Sequence, residues 1–394
     1  MSSVPHGGKL INTMVTDQKR VNELMASCDM EIEVNDRQLC DIECIMEGAF
    51  SPLTGFMTER EYTSVVSDRV FPGADADQSV IFGLPVVFDT NDTSLVPGKT
   101  VLLKHQHVPI AVFQISSQYT PDKCKEAQSC YGSTSIEHPA VWMITAERGR
   151  FYCGGSILGL NRPIRDVPCR SPAEVRASLV AMAPDASSPL SVVAFQCRNP
   201  IHRAHWELIA RALSDTERVG GNSLVLVHPT VGPTQHDDVP GRVRYETYEA
   251  LRAELAHPRV QWDYLSYSMH MGGPREALQH MIIRKNYGCT HFILGRDMAG
   301  CKSALTGDDF YGPADSQEMA AANTEALGVK PLPTANIVST DQGFMLAGEA
   351  KEKGLAVQKL SGSKFRKMLR AGEDIPSWFA FESVVKILRS HNDA

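Results

Sequence analysis

The sequence lacks several features that would at once place it in a class of proteins. No apolar run approaches the length of a membrane span, and the N-terminus has neither the apolar core of a secretory signal nor the Arg- and Ser-rich character of a transit peptide. The ten cysteines never occur in C-x-x-C spacing, which argues against a zinc ribbon or a disulfide framework. No G-x-x-x-x-G-K-[ST] is present, so no P-loop kinase site is expected. We therefore expect a reduced, cytoplasmic protein that does not insert into membranes.

Positive charge is also in short supply. The chain has 39 Lys and Arg residues against 46 Asp and Glu residues, a formal net charge of −7 with histidine neutral. That balance argues against a general nucleic-acid binder, although it leaves room for a local basic pocket. Hydrophobic residues make up 43% and charged residues 22% of the sequence, which is ordinary for a globular protein. With 394 residues, the chain is long enough for two or three domains.

A polar turn lies in the middle of the chain, between an apolar run and an amphipathic stretch. Ser191–Phe195 predicts a buried strand, and residues 206–213 place their apolar side chains on one helical face. Pro200 suits a turn or the first helical position, so we expect the helix to begin between Pro200 and His202. A strand, a polar turn and a helix start form the usual anion site of an open α/β sheet.

The side chains of this turn suit an anionic ligand. Arg198 offers a fixed fork of donors for phosphate or sulfate, and Gln196 and Asn199 add neutral donors. His202 and His205 share a helical face, and the positive helix end should keep them neutral until an anion arrives. Two alternatives exist for these histidines: they are solvated on a surface helix, or they bind zinc with a third ligand that nothing nearby clearly supplies.

A second polar loop follows a second buried strand, predicted at residues 290–294. In this loop Gly295 and Gly300 allow close approach of the backbone to a nucleotide, and Arg296 adds positive charge. Taken alone, the loop would fit an ordinary surface turn. Because ligands bind beyond the carboxyl ends of parallel strands, the two loops together predict one joint nucleotide pocket.

We expect three parts in the chain: a strand-rich domain at 1–168, a catalytic α/β domain at 169–330 and a small C-terminal α/β domain at 331–394. A cluster of prolines near residues 166–171 marks the first boundary. In the first part, strands are predicted at 79–88, 100–103, 110–115 and 141–144, and a helix at 36–47 capped by Asn35. Beyond it, helices are predicted at 172–182, 242–255, 274–287 and from about 360 to 371, strands at 223–227, 260–264 and 336–339, and a loop at 301–317.

Both loops resemble the fingerprints of the ATP sulfurylase, or sulfate adenylyltransferase, family. That family carries Q-T-R-N-P-x-H-x-x-H and G-R-D-H-A-G; this chain has Q-C-R-N-P-I-H-R-A-H from Gln196 and G-R-D-M-A-G from Gly295. Other matching stretches are residues 5–8, 36–41, 50–57, 273–277 and 283–288. The resemblance implies a PUA-like β-rich N-terminal domain, a Rossmann-like H-x-x-H nucleotidyltransferase domain and a stand-alone form without an adenylylsulfate kinase domain. For residues 50–57, a functional loop and a packed inter-domain loop are equally good interpretations.

The resemblance also implies a reaction: MgATP and sulfate give adenosine 5′-phosphosulfate and pyrophosphate, by direct attack of sulfate on the α-phosphate. Magnesium would arrive with ATP, no protein metal site is expected, and the protein would be a homo-oligomer. The implied catalytic residues are Cys197, Arg198, Asn199, His202 and His205. The implied sulfate ligands are Gln196, Arg198 and the backbone N–H of Ala299. The implied nucleotide-binding residues are Gln196, Cys197, Arg198, Asn199, Gly295, Arg296, Asp297, Met298, Ile337 and Val338.

Two residues depart from the family pattern, and four alternatives stay open. Cys197 stands where the family usually has Thr, which weakens any hydroxyl role, and Met298 stands where many members have His. Ile337 and Val338 would fit plain sheet core as well as an adenine contact, and Ser361 or Ser363 would serve as a helix cap in preference to a ligand contact. An adenylyltransferase with a different acceptor and a non-catalytic nucleotide-binding protein are the alternative functions.

Overall fold

Two sheets form the framework of the protein, one before residue 160 and one after residue 190. The computed structural model describes residues 3–73, 78–236 and 238–392. Its strands are β1 (Met30–Glu33), β2 (Gly55–Phe56), β3 (Val70–Phe71), β4 (Val80–Ile81), β5 (Phe88–Thr90), β6 (Thr100–His105), β7 (Val108–Tyr119), β8 (Phe151–Gly159), β9 (Ser191–Phe195), β10 (Ser223–Val227), β11 (Val260–Trp262), β12 (His291–Leu294), β13 (Lys330–Pro333), β14 (Ile337–Thr340) and β15 (Gly343–Leu346).

Helices flank both sheets. They are α1 (Gln18–Ala26), α2 (Asp36–Met46), α3 (Glu59–Asp68), α4 (Lys123–Tyr131), α5 (Pro139–Trp142), α6 (Pro172–Ala181), α7 (Arg203–Ser214), α8 (Thr216–Val219), α9 (Gly241–Glu254), α10 (Gly273–Asn286), α11 (Asp315–Ala322), α12 (Thr324–Leu327), α13 (Ala347–Glu352), α14 (Gly362–Arg370) and α15 (Glu382–Asn392). A π-helical turn, Met143–Glu147, follows α5 directly.

The first sheet has the order β1-β6-β7-β8-β2, with β5 also paired to β8. Only β1 and β6 run parallel in it; the other pairs are antiparallel. The rings of Phe56, Phe88 and Phe113 pack against one another with centroids 5.3–5.4 Å apart inside this part. The predictions of strands at 100–103 and 110–115 and of a helix at 36–47 are confirmed, and Asn35 caps α2 by accepting from Gln38 N–H.

Two strand predictions in this part are wrong. Residues 79–88 pair only at their ends, in β4 and β5, because the backbone between them bonds to side chains of α10: Gly83 and Leu84 N–H donate to Gln279 Oε1 at 3.2 and 3.3 Å. Residues 141–144 end α5 and begin the π-helical turn. Pro139 at the first position and the His138 cap start a helix there, and a short apolar run carries no periodicity that would exclude one.

The second sheet is entirely parallel, with the order β11-β10-β9-β12-β13. Chain order reverses between β9 and β12, which makes their shared carboxyl edge the topological switch point of the sheet. One apolar core, which includes Val192, Ala194 and Leu226, covers one face of the sheet and continues into the strand-rich part. A second core with Val193, Val225 and Val227 covers the other face under α7, α9 and α15. The predicted α/β alternation is confirmed.

Two element ends differ from the predictions, and one predicted helix cap is present. Helix α7 begins at Arg203, one residue later than predicted, because His202 is extended (φ −104°, ψ 174°) and serves as the N-cap. Helix α11 begins at Asp315, inside the loop predicted at 301–317, so the predicted end of that loop is wrong. Ser361 caps α14 by accepting from Lys364 N–H at 3.2 Å. The side chain of Ser363, the alternative cap, lies outside what the structure describes.

Helix α10 joins the two parts of the chain. Near its start, buried Arg275 donates to the carbonyls of Gly83 (2.8 Å) and Val66 (2.9 Å); near its end, Asn286 Nδ2 donates to the carbonyls of Ala49 (3.0 Å) and Ser51 (3.1 Å). The stretch 50–57 starts at that second contact, and the side chains of its apolar residues Phe50, Leu53, Phe56 and Met57 are at most 2% exposed. The loop is therefore packed between the two parts of the chain, and a functional role for it stays a prediction.

Candidate functional site

A cavity of about 340 Å³ lies at the carboxyl ends of β9 and β12. Both polar loops line it, as does the segment that leads from β13 into β14. Of the predicted site residues, it brings together Gln196, Cys197, Arg198, Asn199, His205, Gly295, Arg296, Asp297, Met298, Ala299 and Ile337. His202 and Val338 line a neighbouring cavity of about 420 Å³, which Ile337 also borders. The structure thus places all the predicted residues at the switch point, in two adjoining spaces.

The turn after β9 is held from behind by helix α9. Arg244 is 1% exposed, and its Nη1 donates to the carbonyls of Arg198 (3.1 Å) and Thr230 (2.7 Å). Tyr248 OH donates to the carbonyl of Asn199 at 3.1 Å. These bonds give hydrogen-bond partners to two carbonyls of the turn and to one carbonyl of the segment after β10. Sequence reasoning missed both residues, because an arginine and a tyrosine four positions apart on a predicted helix have the same spacing whether they are buried or solvated.

Arg198 approaches the cavity with one edge already occupied. Its Nε donates to Asp238 Oδ2 at 3.0 Å, and the same oxygen accepts from Gln235 N–H at 3.3 Å. Only 21% of the Arg198 side chain and 11% of the Asp238 side chain are exposed. This contact fixes the guanidinium plane and leaves its two Nη groups to bind an anion. Asp238 was not predicted, because the loop between β10 and α9 carries no recognisable motif.

Cys197 is a neutral thiol. Its Sγ lies 3.7 Å from Tyr248 OH, and burial raises the pKa of the thiol to about 12, although Arg244 and Arg284 lie near enough to oppose that shift. A thiol with so high a pKa is almost wholly protonated at neutral pH and is a poor nucleophile. Cys197 therefore fits a packing or polar-contact role in the turn better than a covalent one.

The two histidines stack on each other at the start of α7. Their ring centroids are 3.7 Å apart with 18° between the planes, and the His202 ring also stacks on Phe379 at 5.3 Å. Burial lowers the pKa of His202 to about 4, and burial followed by the proximity of His202 lowers that of His205 well below its usual value. Both rings are therefore neutral at pH 7, as predicted, but the main cause is burial and not the helix end.

The structure bears on both alternative roles of the histidines, solvated surface residues and zinc ligands. They are not solvated on a surface helix, because both are partly buried in a ring stack. His205 Nδ1 is buried without a hydrogen-bond partner among the described residues, so the ring has an unused polar atom beside the cavity. Over the same ranges, no group of three or more His, Cys, Asp or Glu side chains is placed to hold a metal ion.

The loop after β12 adopts an unusual backbone conformation. Asp297 and Ala299 both have positive φ angles, 55° and 56°, which residues with a side chain adopt only where the surroundings enforce it. The enforcing contacts are Gly300 N–H to the Asp297 carbonyl (2.9 Å) and Gly273 N–H to the Ala299 carbonyl (3.0 Å). Arg296 and Asp297 are exposed at the mouth, whereas Ala299 is 3% exposed. The loop thus brings its backbone to the cavity wall.

No helix in the described ranges has the length and apolar character needed to cross a lipid bilayer.

The two parts of the chain match two family models. The model described as ATP-sulfurylase matches residues 168–391, and the model of a PUA-like domain matches residues 3–162. The chain is 37% identical over 402 residues to a sulfate adenylyltransferase of Phaeosphaeria nodorum, covering 99% of this chain and 67% of that protein. It is 35% identical over 403 residues to a sulfate adenylyltransferase of Candida albicans, covering 98% of this chain and 75% of that protein.

A solved structure shares the fold. It is a hexameric APS kinase from Thiobacillus denitrificans, with a TM-score of 0.76 and 23% identity, covering 99% of this chain and 69% of that one. At that identity the likeness concerns the fold alone. The family models agree with the predicted order of a PUA-like domain followed by an α/β domain. By its matched regions and its similarity to these relatives over nearly its whole length, the chain belongs to the ATP-sulfurylase family of sulfate adenylyltransferases.

Proposed function

We propose that this sulfate adenylyltransferase joins MgATP and sulfate in the cavity between β9 and β12. One observation carries the proposal: the cavity at the switch point of a parallel sheet is lined by two arginines, three side-chain amides and a neutral histidine. Such donors suit two anions that must be brought together, because catalysis then rests on positioning and on charge stabilisation. The sulfate oxygen attacks the α-phosphorus, and pyrophosphate leaves from the opposite side with the electron pair of the broken P–O bond.

The residues divide between the two substrates. Gln196, the Nη groups of Arg198 and the backbone N–H of Ala299 are proposed to hold sulfate. Asn199, His202, His205 and Arg296 are proposed to donate to the triphosphate as charge moves onto pyrophosphate. Gly295, Asp297, Met298, Ile337 and Val338 border the nucleoside, and Cys197 packs under the turn. Neutral imidazoles fit this role because each carries one N–H donor that can be directed at a phosphate oxygen.

Magnesium is proposed to enter as part of MgATP. The bound ion would neutralise phosphate charge, and Arg198 and the histidines would supply the remaining stabilisation. We further propose the products adenosine 5′-phosphosulfate and pyrophosphate, a homo-oligomeric protein, a cytoplasmic location, and the division of the chain into 1–168, 169–330 and 331–394. The hexameric state of the structural neighbour from Thiobacillus denitrificans supports the oligomer proposal.

A pyrophosphate-release assay on the purified protein tests the reaction. With ATP, Mg²⁺ and sulfate, we expect release of pyrophosphate that requires sulfate and is matched by an equal amount of adenosine 5′-phosphosulfate. Other acceptors, such as small phosphorylated metabolites, are tested at the same concentration. Release that does not depend on sulfate, or a strong preference for another acceptor, would overturn the proposal.

A further inference from the structure

A buried cation lies directly behind the turn after β9. Arg284, on α10, is 0% exposed. Its Nη2 donates to Gln196 Oε1 at 2.6 Å and to the His228 carbonyl at 2.7 Å, and its Nη1 lies 2.8 Å from His280 Nδ1. Across residues 3–73, 78–236 and 238–392 no carboxylate pairs with this guanidinium. Burial lowers its pKa to about 10, so it still carries its charge at neutral pH.

The chemistry of arginine determines how the Gln196 amide is oriented. A guanidinium has five donors and no acceptor, so the Gln196 atom that faces Arg284 must be the amide oxygen. Thr230 Oγ1 also donates to that oxygen, at 3.3 Å. The amide nitrogen therefore points the other way, where its one hydrogen-bond acceptor among the described residues is the weak acceptor Met269 Sδ at 3.7 Å. Gln196 and Met269 both line the cavity, so the N–H donors of the amide remain for a ligand.

We propose that Arg284 is a positioning residue for the acceptor oxyanion: it holds the Gln196 amide with its N–H groups toward sulfate and strengthens them as donors. The inference rests on the proposed function of the cavity. A hydrogen bond from a charged donor to the amide oxygen polarises the amide, which makes its N–H groups better donors on the opposite side. Because Arg284 holds the amide oxygen, Gln196 cannot turn an acceptor toward the cavity. This wall therefore suits sulfate, a tetrahedral dianion that can only accept hydrogen bonds.

A second buried arginine on the same helix offers a matched control. Arg275 is 5% exposed, and its partners are backbone carbonyls of the strand-rich part, among them Gly83, Val66 and Ser129. It lines neither the cavity nor the neighbouring space. Loss of Arg275 should therefore lower stability, and any general effect of removing a buried arginine from α10 will show in both variants.

The experiment compares Arg284→Met with Arg275→Met in steady-state kinetics and thermal unfolding. For Arg284→Met we expect KM for sulfate to rise by about 10- to 100-fold, the usual effect of losing a charge-assisted hydrogen bond, while KM for ATP changes by less than about three-fold. Arg275→Met should lower Tm and leave the ratio of the two KM values unchanged. An equal rise in both KM values for Arg284→Met would overturn the inference.

A double variant tests whether Arg284 acts through Gln196. In a Gln196→Ala background, Arg284→Met should raise KM for sulfate by less than about two-fold, because the amide it orients is gone. Full additivity of the two effects would contradict the proposal. Wild-type protein is assayed alongside. If it releases no sulfate-dependent pyrophosphate, the proposed function is wrong. If it is active and the effects of the two substitutions on KM are additive, only the role of Arg284 is wrong.

Gln196→Glu keeps the test decisive if Arg284→Met does not fold. A carboxylate at this position would pair with Arg284, so the Tm of the variant should stay within a few degrees of wild type. KM for sulfate should rise, because a hydrogen-bond acceptor now faces the oxyanion. A large fall in Tm, as expected for an unpaired buried carboxylate, would show that Arg284 does not hold this side chain.

Discussion

Replacing His202 with phenylalanine should separate the catalytic role of the ring from its packing role. A phenyl ring can keep the stack between His205 and Phe379, but it has no nitrogen to donate and no proton to bind. If the imidazole donates to phosphate oxygens whose charge grows in the transition state, His202→Phe should lower kcat by about 10²–10³-fold. KM for ATP should change much less, because ground-state binding does not depend on that growing charge.

The same variant should also change how stability depends on pH. Burial lowers the pKa of His202 in the folded protein to about 4, from the ordinary histidine value of 6.5. Between these two values the unfolded chain binds a proton that the folded protein does not, so stability falls as the pH drops through this window. Between pH 7.5 and pH 4.5, His202 alone should lower the free energy of unfolding by about 2.5 kcal/mol, at about 1.4 kcal/mol per pKa unit. His202→Phe should remove that part of the loss.

Urea unfolding at pH 7.5 and 4.5, together with kcat and KM at pH 8, measures both effects. His6→Gln is the control: burial lowers the pKa of His6 to about 4 as well, and its ring bonds the Ile81 carbonyl at 2.7 Å, outside the cavity. His6→Gln should weaken the pH dependence of the free energy of unfolding to a similar extent and leave kcat unchanged. If folded His202→Phe keeps kcat within about two-fold of wild type, the ring is not a transition-state donor and the role assigned to it is wrong.

Four further expectations follow from the turn, the loop and the sequence. Cys197→Ser and Cys197→Thr should keep substantial kcat, since a neutral buried thiol is no nucleophile; loss of all activity in both variants, with nucleotide still bound, would revive covalent catalysis. Met298→His should alter KM for ATP, and an unchanged KM would place this side chain away from the nucleotide. Arg198→Ala should raise KM for both substrates and reduce kcat more than His202→Phe does; a milder defect would contradict its place between the two anions. With ATP and adenosine 5′-phosphosulfate supplied, no 3′-phosphorylated product should form, and its appearance at rates comparable to the sulfurylase reaction would reveal a kinase site without a P-loop.

The sequence allowed the parallel sheet and the two polar loops to be predicted, because their signals are local. Ser191–Phe195 is a short apolar run followed directly by polar residues and a proline, and each of these preferences acts within a few positions. The same logic failed at residues 141–144, where an apolar run too short to show a period belongs to a helix started by Pro139. It also failed at residues 79–88, whose hydrogen-bond partners are side chains on α10, almost two hundred positions away in the chain.

The supporting residues of the site were beyond sequence reasoning for a related reason. Arg244, Asp238 and Arg284 reach the turn from 40 to 88 positions away, and a buried arginine in a helix looks the same in sequence as a solvated one. The resemblance had marked the stretch 283–288 without saying why it matters. The structure gives a physical reason for two of its residues: Arg284 fixes an amide in the cavity, and Asn286 binds the strand-rich part of the chain.

The contact between Phe379 and the start of α7 has a consequence for how the protein matures during synthesis. Arg203 N–H donates to the Phe379 carbonyl at 3.0 Å, and the Phe379 ring covers His202. A ribosome releases the segment with the histidines long before it releases Phe379, and domains generally fold in the order of their synthesis. The strands of the parallel sheet can therefore begin to pair while the His202 ring is still exposed to solvent and able to bind a proton near its ordinary pKa. Docking of the late segment, which also brings α15 onto the sheet, then removes water from the imidazole, so the proposed triphosphate donor reaches its buried, neutral state only at the end of folding.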